Sequence, residues 1–256
     1  ILPSGFENLV INGDSWSVDH YQFQSGAYVK HLVVSAAEVS DNADNEGKTE
    51  AAFRSNFNLE TAQFTGKTVK LQAKMFLGCT NLKWLDLSAV DTLTVGSGCF
   101  GDDNNKNYEV VPGEPNKFNE DCVIYAKDAA AAQTLRGSGS GLDKKGIVLI
   151  VNGGTVDVTA ATAGFGAVSC EGFTAKWYDN KDFTGKPVTG EPETGKTYYV
   201  QWTKDRTTGS CGATGNEDNV SWTLAYEGND EFTLSITGRG AMADYKCNIT
   251  RSDANQ

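Results

Sequence analysis

The chain has 256 residues and a formal net charge of −11, with 39% apolar and 21% charged residues. Such proportions are ordinary for a globular protein, and the length suffices for roughly two or three small domains. The negative charge argues against nucleic acid or an anionic membrane as a partner, because both favour a basic surface, and the sequence contains no apolar run long enough for membrane insertion.

A repeat that begins with phenylalanine runs through the N-terminal half of the chain. Its copies start at Phe23, Phe53, Phe76 and Phe100, and an acidic insertion, SDNADNEG, lengthens the first of them. One copy cannot bury its own apolar residues, so we expect successive copies to stack. The spacing of about two dozen residues lies in the range of leucine-rich repeats.

Alternating side chains predict one short strand in each copy, as in LKWLDL at 82–87. Stacking then forms two inward rows, with Leu32, Ala62 and Leu85 in one and Val34, Phe64 and Leu87 in the other. It also forms two outward rows, with His31, Thr61 and Trp84 in one and Val33, Gln63 and Asp86 in the other.

The outward rows are the predicted binding surface. A large ring on the wet side of a strand is unusual unless a neighbour or a ligand covers it, which singles out Trp84. The alternative for Thr61 and Gln63, that they only face solvent, stays open. The predicted binding residues are His31, Thr61, Gln63, Trp84 and Asp86.

The repeat has its clearest form in AAF at 51–53, MFLGCTNLKWLDL at 75–87 and GCFGD at 98–102. Over residues 20–135 it resembles the BspA-like leucine-rich repeats of bacterial surface proteins. The resemblance implies a short solenoid, to which we assign residues 1–136. At its end, DCVIYAKDAAAAQTL (121–135) predicts a closing strand and a short helix capped by Asp128.

The six cysteines contain no CxxC pair and no spacing with histidine that is typical of zinc, so no metal site is predicted. Cys79 and Cys99 take positions where the repeat requires small buried residues, and we interpret them as free core thiols. Cys211 and Cys247 flank a predicted hairpin and could form a disulfide, which the sequence leaves open.

Beyond the repeats the composition changes. Residues 137–146 are rich in glycine, serine and charge, and we predict a linker there. Residues 147–203 contain a strand ending at Asn152–Gly154, the alternating stretch Gly172–Tyr178 and TYYVQWT at 197–203. These motifs resemble the Listeria-Bacteroides repeat, or internalin B-repeat, which implies a small β-grasp-like module with Trp177 and Trp202 in its core.

The last block, residues 204–256, contains VSWTLAY and EFTLSITG on either side of a turn at 228–230. Two alternating strands around a short turn predict a β-hairpin. The block resembles the segment that introduces leucine-rich arrays in the same class of surface protein. The hairpin either serves as a terminal cap or belongs to a longer protein.

The sequence offers little catalytic chemistry, so we predict that the protein is not an enzyme and needs no cofactor. Its two histidines lie in no catalytic motif. Gly96, Gly98 and Gly101 match GxGxxG, but an acidic stretch follows where a nucleotide-binding helix would be required, and the repeat explains them as a turn. The Asp/Asn-rich loops at 41–46 and 102–107 lack EF-hand spacing.

These observations predict a mainly β fold with short helices, of the α+β class. The resemblance implies a bacterial cell-surface, extracellular protein, and because the chain begins at Ile1 without a leader-like stretch, we expect any leader to have been removed. We expect adhesion to a host or neighbouring-cell surface protein through the strand face. Glycan binding on Trp84 and a passive spacer role are the alternatives.

Overall fold

The structure is a computed structural model, and it describes residues 7–24, 28–43, 46–101, 109–111, 114–115, 118–158, 163–204, 206–228 and 231–243. Strands make up 38% of it and helices 6%, so the predicted mainly β class is confirmed. The chain divides into two compact units, one formed by Ile1–Cys170 with Ala175–Trp202 and the other by Glu171–Thr174 with Thr203–Gln256.

The described residues form nineteen strands and one α-helix. In the first half of the chain the strands are β1 (Asn8–Ile11), β2 (Ser15–Val18), β3 (His31–Val34), β4 (Glu38–Asp41), β5 (Thr61–Phe64), β6 (Thr68–Leu71), β7 (Trp84–Leu87), β8 (Thr92–Val95), β9 (Glu109–Val111), β10 (Glu114–Pro115) and β11 (Val123–Ala126). The remaining elements are α1 (Ala129–Leu135), β12 (Ile147–Ile150), β13 (Thr155–Val156), β14 (Val168–Ser169), β15 (Phe173–Tyr178), β16 (Thr197–Lys204), β17 (Arg206–Ser210), β18 (Val220–Gly228) and β19 (Glu231–Gly238).

Two sheets of short strands enclose the main core of the first unit. One sheet has the order β1-β3-β5-β7-β11-β12-β16-β15, and the other has the order β2-β4-β6-β8. From β1 to β12 the neighbours are parallel and in constant register, and Leu32 pairs with Ala62, which pairs with Leu85. These inward residues are at most 1% exposed, as their predicted positions require.

A column of phenylalanine rings runs along one side of this core. Phe23, Phe53, Phe76 and Phe100 stack with centroid separations of 4.9, 6.0 and 6.0 Å, and Phe118 meets the last ring edge-on at 5.2 Å. Each successive copy of the repeat therefore buries its ring against the ring of the copy before. The stack explains why phenylalanine, rather than any apolar residue, begins each copy.

The turn around each phenylalanine requires residues with left-handed backbone conformation. Only some copies of the repeat have glycine at these positions. The residue two positions before the ring has positive φ in all four copies, at Tyr21, Ala51, Lys74 and Gly98. Two positions after the ring the pattern recurs, with φ of 56° at Ser55 and 80° at Gly78. Side chains other than glycine are strained in this region, so the earlier copies are locally suboptimal.

Replacement of Ser55 by glycine is expected to stabilise the protein by about 1 kcal/mol. The change removes a strained left-handed residue, which costs roughly 1–2 kcal/mol, against the extra freedom of glycine in the unfolded chain. It also removes a buried hydroxyl that has no hydrogen-bond partner among the described residues. Chemical denaturation of Ser55→Gly beside the unmodified chain measures the gain.

The reciprocal variant, Gly78→Ser, provides the matched control in the next copy. Its new Cβ would lie 3.2 Å from the Cα of Ser55 at a φ of +80°, so we expect a loss of about 1–2 kcal/mol. Equal and small effects from both variants would show that the left-handed turn does not limit stability.

The glycines of the GxGxxG match have structural roles in this stack. A Cβ at Gly96 would lie 2.3 Å from the backbone nitrogen of Ala73, whereas one at Gly101 would lie 3.2 Å from the carbonyl oxygen of Gly141. Gly98 has a φ of 63° and donates its amide to Gly139. Tight backbone contact at Gly96 and Gly101 and left-handed backbone at Gly98 therefore account for these glycines, in agreement with their interpretation as a turn of the repeat.

The repeat stack ends with the predicted strand and helix. Strand β11 pairs with β7, and Asp128 caps α1 by accepting a hydrogen bond from the amide of Ala131 at 2.9 Å. Both the strand and the cap were expected from the sequence. Helix α1 packs beside β8, in the place where a further strand of the second sheet would lie.

Residues 137–146, predicted as a linker, form part of the first unit instead. The amide of Phe100 donates to the carbonyl of Ser140, just as the amide of Phe76 donates to Cys99 in the copy before. Ser140 and Leu142 are buried. The segment therefore continues the turn ladder of the repeats, a role that its glycine-rich and serine-rich composition conceals.

The side chain of Arg136 ties this segment to its surroundings. Its guanidinium donates to the carbonyls of Leu142, Lys145, Gly146 and Lys196 at 2.9, 2.5, 3.0 and 2.7 Å. Burial lowers the pKa of Arg136, because desolvation penalises its charged form. The arginine thus adds a charged donor to four carbonyls at the point where the helix ends, and three of them, those of Leu142, Gly146 and Lys196, also accept a backbone amide.

The second unit contains a three-stranded antiparallel sheet in the order β17-β18-β19. Strands β18 and β19 pair from Val220–Gly238 to Gly228–Glu231, which is the hairpin expected from the sequence. Strand β17 adds a third member that was not predicted.

The cysteines that the structure describes are free. Cys79 and Cys99 lie in the main core, as predicted, and burial raises the pKa of Cys79 to about 12. Cys211 is buried, and Cys247, its possible disulfide partner, lies outside the described residues. Within the described ranges, the helices are all too short or too polar to cross a membrane.

Candidate functional site

The outer face of the eight-stranded sheet carries the predicted binding residues in two rows. The first row follows Asn8, His31, Thr61 and Trp84, and the second follows Val10, Val33, Gln63 and Asp86. The structure therefore brings all five predicted residues together on adjacent strands. We call these two rows, continued on β11 and β12, the outer face.

Side chains along each row contact one another. The Nδ1 atom of His31 lies 2.9 Å from the hydroxyl of Thr61, and Gln63 donates from Nε2 to Asp86 at 2.8 Å. The other oxygen of Asp86 accepts the amide of Ser88 at 2.9 Å. Because neighbouring strands hold these polar groups in fixed pairs, the outer face is preorganised.

Exposure decreases along the outer face from β1 to β12. Val10 is 56% exposed, whereas Asp86 is 4% and Tyr125 is 0% exposed. His31, Val33 and Gln63 are half-buried between these extremes. Solvent therefore reaches the first three strands of this face and, on β7, part of the half-buried Trp84. We call Asn8, Val10, His31, Val33 and Gln63 the open patch.

The chain itself covers the rest of the outer face. A second apolar cluster joins the outward residues of β11, β12 and β16 to Val156, Val158, Phe165, Ala167, Val168, Ala175 and Trp177. In it, Phe165 stacks on Trp177 at 4.8 Å and meets Tyr198 edge-on at 5.1 Å. Tyr125 anchors this cover, since its hydroxyl accepts the amide of Gly164 at 2.8 Å. Burial raises the pKa of Tyr125 to about 12.

Trp84 lies at the boundary between the open patch and the covered part. Its ring packs against the second cluster and is half-buried. Its indole Nε1 is buried without a hydrogen-bond partner among the described residues. A neighbouring segment of the same chain thus covers much of the ring for which the sequence suggested a ligand.

A ladder of alternating charges borders the open patch. The amino group of Lys30 lies 2.6 Å from Glu7, and that of Lys83 lies 2.6 Å from Glu60. The hydrogen bond that Lys30 donates to Glu7 raises the pKa of Lys30, and the one that Lys83 donates to Glu60 lowers the pKa of Glu60. Because each charge has a partner of opposite sign, the border has little net charge despite the acidic chain.

The open patch combines apolar side chains with polar ones. Its titratable side chain, His31, lies within hydrogen-bond distance of the Thr61 hydroxyl. Among the described hydrogen bonds, no carboxylate orients His31 as one would in a catalytic dyad. The described part of the chain also contains no group of three or more His, Cys, Asp and Glu residues able to hold a metal ion. Partly apolar, neutral and fixed in shape, the patch is suited to contact with a macromolecule.

Sequence reasoning missed two features of this face. Val10 was not assigned to a strand, because the alignment of the repeats began at Phe23. The cover was not predicted either, although VIYA in β11 and IVLI in β12 are apolar at every position. Continuous apolar strands are typical of sheets buried on both faces, and this was the available signal.

Comparisons with protein-family models, with curated proteins and with solved structures each found no match for this chain. Its function is therefore inferred from the geometry of the open patch together with the motif resemblance.

Proposed function

We propose that the protein is a non-enzymatic adhesion module of a bacterial cell surface, which docks a host or neighbouring-cell surface protein on the open patch. Its repeats are of the BspA-like leucine-rich type and form a short solenoid. The constant parallel register and the phenylalanine column support this architecture.

Residues 147–203 are, in the same proposal, a β-grasp-like module built onto the end of the solenoid. Strand β12 continues the repeat sheet beside β11, and β16 then pairs with β12 in parallel. The second apolar cluster packs on the outer face of these strands. Such a fusion explains why the module shares a sheet with the repeats instead of following a linker.

The observation that carries the binding proposal is the change in exposure along the outer face. The chain covers this face from β7 onward and leaves the first three strands open, with Val10 56% exposed. Apolar side chains beside fixed polar ones provide the mixed contact surface that protein interfaces use. The paired border charges favour a neutral protein surface over a polyanion.

A charged substitution within the open patch is expected to weaken binding. We would screen the purified chain against an array of extracellular-matrix proteins and of microbial and host glycans, and measure affinity for any ligand found. Val10→Arg is expected to raise the dissociation constant about tenfold, because it buries an unpaired charge in the interface. The exposed position of Val10 leaves folding unchanged.

Thr94→Arg is the matched control, since Thr94 is an exposed strand residue of the opposite sheet. It should leave binding intact. Protein binding that Val10→Arg does not weaken would contradict the docking surface. Binding to glycans alone would assign the chain to carbohydrate capture. No measurable binding to any component of the array would favour the spacer role.

A further inference from the structure

The sheet of the second unit has two chemically different faces. On one, Trp222 pairs with Ile236 and Leu224 pairs with Leu234. The other face carries small and mostly hydroxyl-bearing residues on β18 and β19, namely Ser221, Thr223, Ala225, Thr233, Ser235 and Thr237. Strand β19 therefore has one apolar face and one hydroxyl-bearing face, and any further strand that pairs with it would need to match both.

Strand β19 forms one edge of this sheet, and among the described residues no strand pairs with its outer side. It is eight residues long, lacks lysine and proline, and carries its only charged residue at its first position. Leu234 is 58% and Ile236 is 48% exposed. A long edge with exposed apolar side chains and no protecting charge is a template for pairing with another strand.

The sequence of this edge is complementary to itself when reversed. Residues 233–237 read Thr-Leu-Ser-Ile-Thr, so the chemical class of each residue is repeated at equal distance on the other side of Ser235. We propose that β19 pairs antiparallel with β19 of a second copy of this chain, with the two-fold axis at Ser235. Such an isologous contact joins two three-stranded sheets into one of six strands.

The register centred on Ser235 satisfies chemistry on both faces. It sets Leu234 opposite Ile236 and Thr233 opposite Thr237, and side chains of the same face meet. The same register places the acidic Glu231, the first residue of β19, opposite the basic Arg239 of the other copy, which lies one residue beyond the end of that strand.

Alternative registers lose these matches. A one-residue shift places apolar residues opposite hydroxyl residues and mixes the faces. Centring on Leu234 keeps the faces but sets Glu231 level with Thr237, and centring on Ile236 sets it level with Ala241. Of these registers, only the one centred on Ser235 places Glu231 opposite Arg239. The two-fold axis produces this pair of opposite charges twice in the dimer.

The contact is expected to be reversible. Each cross-strand pair contributes roughly 0.2–1 kcal/mol, so a few such pairs and the shared backbone bonds give a dimer that depends on concentration. This assembly uses the second unit alone and does not depend on the open patch.

Sedimentation of the full chain over a wide concentration range tests the proposal. We expect a monomer–dimer equilibrium, and Ser235→Lys should weaken it about tenfold, because two like charges would meet on the axis. Ser235→Glu should weaken it similarly, and an equimolar mixture of the two variants should restore the dimer. Thr208→Lys, in the same cross-strand row but on the opposite edge, is the matched control and should dimerise normally.

Three results would overturn the proposal: a wild-type chain that stays monomeric at every concentration, a Ser235→Lys chain that dimerises as the wild type does, or a mixture that fails to associate. Circular dichroism of each variant confirms that the exposed substitutions leave the sheet folded. A dimer that Thr208→Lys disrupts instead would place the interface on β17.

Discussion

Replacement of Phe76 by alanine is expected to destabilise the first unit by about 3–5 kcal/mol. The ring is fully buried between Phe53 and Phe100, at 6.0 Å from each. Its loss opens a cavity in the middle of the column, and the rings above and below lose a stacked neighbour on one side. Denaturant unfolding followed by tryptophan fluorescence measures the effect.

Two controls separate the column from burial in general. Phe76→Leu keeps most of the volume and should cost about 1–2 kcal/mol. Tyr28→Ala removes an aromatic ring that is 58% exposed and should change stability by less than about 0.5 kcal/mol. A loss below about 1.5 kcal/mol in Phe76→Ala would contradict the continuous core.

Replacement of Arg136 by methionine is expected to cost about 2–3 kcal/mol. Methionine fills a similar volume but donates no hydrogen bond, so the carbonyls of Leu142, Lys145, Gly146 and Lys196 lose their shared donor. Hydrogen bonds to a charged group are worth more than neutral ones, while water compensates the carbonyls at the surface. The same unfolding experiment measures this loss.

Arg136→Lys tests the geometry of the guanidinium, because lysine keeps the charge but cannot reach several carbonyls at once. It should recover only part of the stability. A flexible linker at 137–146 would instead make Arg136→Met nearly neutral, with a change below about 0.5 kcal/mol. These outcomes distinguish the structural segment from the linker that its composition suggests.

The repeat register could be predicted because it depends on local pattern. Alternation within four-residue strands decides which side chains face inward, and the phenylalanine spacing aligns the copies. The pairing of Ala62 with Leu85, the cap at Asp128 and the hairpin of β18 and β19 all follow from such signals.

The cover on the outer face could not be predicted in this way, because it depends on contacts distant in sequence. Tyr125 meets Gly164 only after the module folds back over the repeat sheet. The packing of residues 137–146 depends likewise on Arg136 and on the hydrogen bond that the amide of Phe100 donates to the carbonyl of Ser140. Composition alone therefore suggested a boundary where the structure has a continuous sheet.

The most direct test of this account is hydroxyl-radical footprinting of the purified chain, because its central claim is that one end of the outer face is open and the other is covered. Tyr125 is 0% exposed, whereas Tyr28 has the same reactive ring at 58% exposure. We predict slow modification of Tyr125, rapid modification of Tyr28, and clear modification of Val10 and His31 in the open patch. Tyr125 and Tyr28 reacting at similar rates, or a protected open patch, would contradict the account.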